Sequence, residues 1–269
     1  MGGRAQRAGG RQWSAFGSGS RLRTGPRFTL AEQAATRGCR SHGVTIDCGV
    51  LARPARLAVF ASGNGSNFEA LAAAAARDVL GGSLVVLLCD RPDAPVMDRA
   101  RRRGVESITP PVGRFRSRLE DERPWLDVLR ERQVDVVLLA GFMRRLHTTL
   151  LAPFAGRMLN VHPSLLPAFP GLDAIGQAWR HGVAITGCTV HLVEDALDSG
   201  PIVAQAAVDV RAGESRESLE ERVHEAEHAL YPWAVRRFLT EAWRLAGRRL
   251  CFGEGAGLQS HETEVARDG

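Results

Sequence analysis

At 269 residues, with 44% hydrophobic and 24% charged side chains, the chain has ordinary globular composition and enough apolar residues for a sizeable core. Its formal net charge of +5 would suit a nucleic-acid partner, but Arg4, Arg7, Arg11, Arg21, Arg23 and Arg27 all lie in a front segment, residues 1–30, without one acidic side chain. The remainder is close to neutral, which speaks against a basic groove on the folded part, and no nucleic-acid partner is expected.

The five cysteines are an odd number without C-x-x-C spacing, and Cys89 and Cys188 lie in strand-like apolar runs. That pattern reads as reduced thiols in a cytoplasmic protein rather than a disulfide framework or a metal site. No apolar stretch reaches the roughly 18 residues that a membrane span needs. All basic side chains other than histidine are arginine, a coding bias to which no function attaches.

In chain order, residues 1–55 are rich in Gly, Arg and Ser and show no helical or strand period, so they are expected to form a disordered basic extension. They resemble an organelle transit peptide in composition but have no secretory apolar core. From Arg56, R-L-A-V-F-A runs into S-G-N-G-S-N (62–67) and then into helix formers to Ala76, a strand, glycine turn and helix. The alternation repeats, with a strand at 83–89, a helix at 95–103 and a short strand near 105–108. A helix within 115–132, interrupted or begun by Pro124, precedes a strand at 134–140. These runs are continuously apolar, as strands covered on both faces are. They predict an α/β fold with a Rossmann-like open, mainly parallel sheet and helices on both faces. After Pro163 the sequence turns loop-like. Two extended runs, 185–193 and 202–210, then make the C-terminal part of the sheet mixed. Ser218 with Glu221 reads as a capping box opening an amphipathic helix to about Leu239. The folded domain is expected over 56–240, with 241–269 a disordered tail.

Three stretches carry possible chemistry. S-G-N-G-S-N between strand and helix suits either a plain tight turn or an anion cradle of backbone N–H groups. It lacks the third glycine of a dinucleotide fingerprint and the lysine of a Walker loop. In N-V-H-P-S-L-L-P (160–167), strand alternation puts Asn160 and His162 on one side and Val161 on the other, at the sheet edge where open α/β proteins bind ligands. Taken singly, a capping asparagine and a half-buried histidine would account for them. D-A-L-D-S-G-P (195–201), with Asp198, taken singly is turn chemistry.

Together and in this order, these pieces resemble the folate-dependent formyltransferases and their deformylase relatives. With L-A-G-F-M-R (139–144) and E-H-A-L-Y-P (227–232), they resemble the branch acting on phosphoribosylglycinamide. The resemblance covers about 56–240. It implies an enzyme that moves a formyl group from 10-formyltetrahydrofolate, as co-substrate, to the glycyl amine of phosphoribosylglycinamide in purine biosynthesis, without a metal. It assigns catalysis to Asn160, His162 and Asp198. It gives the amine substrate to Asn64, Gly65, Ser66, Asn67, His224 and Glu227, and the folate to Arg118, Met143, Arg144, Arg145, Leu146, Glu194, Asp195, Ala196 and Leu197. Small-molecule substrates, no membrane association and a monomer or homodimer are expected with it. Pro163 and the absence of a further domain of about 100 residues argue against the deformylase and the transfer-RNA-dependent relatives. Asp173 and Ile175 depart from the family, many members of which have histidines there.

Overall fold

The computed structural model describes residues 46–48 and 53–253. One sheet organises it, running from β1 (Ile46–Cys48) through β9 (Trp243–Ala246), β10 (Arg249–Phe252), β8 (Ile202–Asp209), β7 (Ile185–Leu192), β6 (Met158–His162), β5 (Val136–Leu139), β2 (Ala55–Ala61) and β3 (Gly82–Cys89) to β4 (Ser107–Ile108). Its parallel centre consists of β2 (Ala55–Ala61), β3 (Gly82–Cys89), β4 (Ser107–Ile108), β5 (Val136–Leu139) and β6 (Met158–His162). The chain builds outward from β2 through β3 to β4, then returns to place β5 on the other side of β2. The carboxyl ends of β2 and β5 therefore flank the topological switch point, where open sheets leave a crevice. β7 (Ile185–Leu192) and β8 (Ile202–Asp209) continue the sheet antiparallel, the mixed arrangement expected for this part.

Period-two alternation divides the strands between two cores. On β2, Leu57, Val59 and Ala61 face one cluster with Phe68, Val96, Tyr231 and Val235, while Ala58 and Phe60 face a second with Trp125, Leu129 and Leu150. The first cluster is covered by α1 (Ser66–Ala76), α2 (Pro95–Arg103) and α6 (Arg216–Thr240), the second by α3 (Arg123–Glu131) and α4 (Thr148–Leu151). Burial on both faces is the physical reason for continuously apolar strands.

The helix expected within 115–132 starts at Arg123, so Pro124 begins it rather than interrupts it, its missing N–H harmless in the first turn. Three local expectations are corrected. Ser215 rather than Ser218 caps α6, its hydroxyl accepting from the Ser218 N–H at 3.2 Å. An unexpected α5 (Ala174–His181) follows the proline-rich loop. Residues 241–253 are not a tail: β9 (Trp243–Ala246) and β10 (Arg249–Phe252) form a hairpin that extends the sheet. Trp243 stacks on Phe238, with ring centroids 4.8 Å apart. At the front, β1 (Ile46–Cys48) pairs with β9, and Arg53 donates to both carboxylate oxygens of buried Asp135 at 2.9 and 3.0 Å. The expectations for residues 1–45, 49–52 and 254–269 lie outside the described residues.

Candidate active site

The segment after β2 lies at the topological switch point of the sheet. Gly65 caps α1 at φ +77°, and a Cβ there would lie 2.3 Å from the Val96 side chain, so only glycine lets the turn sit against α2. The turn is tied down by side chains. Arg99 on α2 donates to the Asn64 carbonyl oxygen and to Asn64 Oδ1 at 2.7 and 3.0 Å, and Asn67 Nδ2 donates to Glu227 Oε2 at 2.9 Å.

Glu227 is buried in α6, and burial pushes its carboxyl up to about 7, with the Asn67 amide opposing that shift. Four residues on, and so on the same helix face, the Tyr231 hydroxyl lies 3.0 and 3.1 Å from the carbonyl oxygens of Leu139 and Leu159. E-H-A-L-Y-P thus spans from the turn to the end of β5 and the interior of β6. His224 is exposed, one turn before Glu227.

Two strands away, roughly 10 Å at ordinary strand spacing, Asn160 and His162 emerge from the end of β6 on one face, as alternation requires. His162 Nε2 is 2.9 Å from the Phe169 carbonyl oxygen, and Nδ1 is 3.5 Å from Asp198 Oδ2. A hydrogen on either ring nitrogen therefore meets an acceptor. The side chains of His162 and Asp198 are 7% and 8% exposed, so the pair is largely withdrawn from water.

Asp198 sits at φ +48° in the turn between β7 and β8, and its Oδ2 accepts from the Gly171 N–H at 2.8 Å. Gly200 allows this turn to close: a Cβ there would lie 1.7 Å from the Leu192 carbonyl oxygen. The serine next to the pair, Ser164, donates to the Ala168 carbonyl oxygen at 2.6 Å and so braces the loop.

The third group joins these at the crevice wall. The Met143 N–H donates to Ser62 Oγ at 2.9 Å, fixing the segment after β5 to the β2 turn. Arg144 donates from Nε to buried Asp90 at 2.6 Å and from Nη1 to the carbonyl oxygens of Phe115 and Arg118, so its side chain organises the preceding loop. Arg145 pairs as a β-bridge with Arg118, and its Nη2 donates to the Asp195 carbonyl oxygen at 3.1 Å. Arg118 lies in that loop rather than on a helix, its guanidinium 4.1 Å from the Phe115 ring centroid. Residues 143–146, 194–197 and Arg118 thereby form one continuous wall. Met143 and Leu197 are exposed on it and Leu146 is buried. Asp173, at the departing position, holds Arg180 and Arg216 at 2.9 and 2.7 Å, while Ile175 is buried in a satellite core with Leu219 and Val223.

Two residues of the site were not read from the sequence. Arg99 had no signal beyond a charged helix face. His191, on β7, lies opposite Asn160 in the ladder, its Nε2 3.1 Å from Asn160 Nδ2 and 3.7 Å from Asp198 Oδ1. Only strand register brings it there. Burial pushes its imidazole below the usual histidine value, outweighing the opposing effects of the Leu192 carbonyl and Asp198.

The architecture has counterparts. The sequence pattern of the formyl transferase family matches residues 55–235. The phosphoribosylglycinamide formyltransferase of Bacillus subtilis is 41% identical over 184 residues, 68% of this chain and 94% of that one. The Escherichia coli protein of the same name is 37% identical over 213 residues, 79% and 93% of the two chains. The crystal structure of glycinamide ribonucleotide transformylase 1 from Geobacillus kaustophilus superposes with a TM-score of 0.67 at 48% identity, covering 70% of this chain and all of that one. With the family pattern matched over residues 55–235 and relatives 37–48% identical covering most of the folded chain, the chain belongs to the formyl transferase family.

Proposed function

We propose that this chain transfers the formyl group of 10-formyltetrahydrofolate to the glycyl amine of phosphoribosylglycinamide, a step of purine biosynthesis carried out in the cytoplasm on small-molecule substrates. The observation that carries the reading is the meeting of Asn160, His162 and Asp198 at the end of β6, beside a crevice with a glycine turn on one side. The names of the relatives support the choice of substrates.

In this reading the phosphate lies against the N–H groups at the start of α1, residues 64–67, where the helix dipole favours an anion. Glu227 and His224 address the amine-bearing part. The folate lies along the wall of Arg118, residues 143–146 and residues 194–197. Arg144 reaches it through backbone, because its guanidinium is committed to Asp90.

The substrate amine attacks the formyl carbon, and the carbonyl oxygen becomes an oxyanion. Asn160 Nδ2 and a protonated His162 donate to it, which lowers the barrier by stabilising charge only as it develops. His162 Nε2 is held by the Phe169 carbonyl, so Nδ1, at a longer 3.5 Å from Asp198 Oδ2, is the nitrogen that donates to the oxyanion. The new C–N bond forms, the bond from the formyl carbon to the folate nitrogen breaks, and one proton passes from the attacking amine to the leaving nitrogen. Asp198, through water, carries that proton.

The test is formyl transfer by the full-length chain beside His162→Ala, with Asn160→Ala expected to lower turnover by about 10² to 10³. Folate hydrolysis without a formylated amine would reassign the chain to a deformylase. No turnover of either kind by the folded protein would overturn the reading.

A further inference from the structure

The two ends of an asparagine amide are nearly isosteric, so Asn160 donates to a reacting oxygen only if its surroundings fix the NH₂ end toward it. His191 supplies a one-sided environment. Its side chain is 3% exposed, and its Nδ1 lies 2.8 Å from the Leu192 carbonyl oxygen. A carbonyl oxygen only accepts, so Nδ1 carries a hydrogen, and in the neutral ring Nε2 is then a bare lone pair. That lone pair points at Asn160 Nδ2, 3.1 Å away.

We propose that His191 is a positioning residue for formyl transfer: as the Nδ1–H tautomer it accepts one hydrogen of the Asn160 amide, fixes the nitrogen end toward the substrate and leaves the second hydrogen for the formyl oxygen. This rests on the formyl-transfer reading of the site. Two other groups face the ring. Asp198 Oδ1, 3.7 Å from Nε2, favours a proton there, whereas His162 and the burial of the ring oppose a second charge. A proton on Nε2 would also set hydrogen against hydrogen at Asn160 and turn the amide around, presenting Oδ1 in its place. Backbone geometry holds the arrangement. The β7–β8 register shifts between Val190 and His191, and the Cβ-free Gly200 lies close to the Leu192 carbonyl that receives the Nδ1 hydrogen.

A mutant cycle on the full-length chain tests it. His191→Ala is expected to lower kcat by about tenfold to a hundredfold, less than the roughly 10² to 10³ for loss of a donor itself, with KM for both substrates little changed. His191→Ala combined with Asn160→Ala is expected to be no slower than Asn160→Ala alone, because His191 acts through that amide. Multiplying losses in the double variant would overturn the proposal. Nitrogen NMR of the wild-type histidines gives a readout that needs neither a folded variant nor turnover. Above the usual histidine value, at pH 7.5 to 8, His191 is expected as a neutral ring protonated at Nδ1, and an Nε2–H ring would overturn the proposal. Absent formyl transfer by the wild-type chain would count against the functional reading alone, since the tautomer would still decide the geometry.

Discussion

Single side chains in this site are set by what surrounds them. Glu227 is the clearest case, because burial holds its carboxyl protonated up to about 7 while an unfolded chain ionises near the ordinary 4.5. Between those values the unfolded state has lost a proton that the folded state keeps. Stability therefore falls as pH rises through that window and levels off above it, by at most roughly 3 kcal/mol. Glu227→Gln is expected to flatten the dependence and to be the more stable of the two at pH 8, as thermal unfolding at pH 5 and pH 8 will show. A variant whose unfolding temperature moves with pH as the wild type does would contradict this.

Asp198 is held differently, by a backbone N–H and two imidazoles. Asp198→Asn keeps the shape and removes the charge, so turnover is expected to fall by more than tenfold while the unfolding temperature changes little. The sequence showed Asn160, His162 and Asp198 because each stands in a motif. It hid His191, whose role arises from its partner across the ladder.

At the scale of elements, the turns that carry the site depend on two glycines. Gly65→Ala adds a Cβ against Val96 in a left-handed conformation, a strain of about 1–2 kcal/mol before the clash itself is counted. Denaturant unfolding is expected to show a loss at least that large. Gly200→Ala meets the Leu192 carbonyl and must displace the turn that delivers Asp198. Its effect is expected mainly in kcat, with a smaller change in stability.

The helices show where sequence signals compete. S-x-x-E at 218–221 has the form of a capping box, yet Ser215 takes the cap because Glu214 and Ser215 lie at the true entry of the chain into α6. Likewise, the charged stretch 115–122 has helical spacing but is spent on loop contacts, with the Phe115 and Arg118 carbonyls holding Arg144.

For the whole molecule, the sheet does not stop where the recognisable pattern stops. Trp243 and Phe252 are buried against the cluster that also holds Phe238 and Val235. A chain ended after Thr240 is expected to expose that apolar surface and to unfold several degrees below the full-length protein in a thermal scan. An unchanged unfolding temperature would show the hairpin to be dispensable. Among the described residues no helix is long and apolar enough to cross a membrane.

The α/β alternation, the parallel centre and the mixed later strands were determined by the sequence alone, since apolar periodicity and glycine turns are local properties of the chain. So were the three motif segments, whose residue types and order are readable along one dimension. Tertiary structure decided what lies beside what. The β6–β7 register sets His191 against Asn160, α6 lays Glu227 on Asn67, Arg144 is drawn onto Asp90, and the 243–252 hairpin joins the sheet. Each of these joins residues far apart in sequence, or an element that packs only against others, and no local pattern encodes such a pairing.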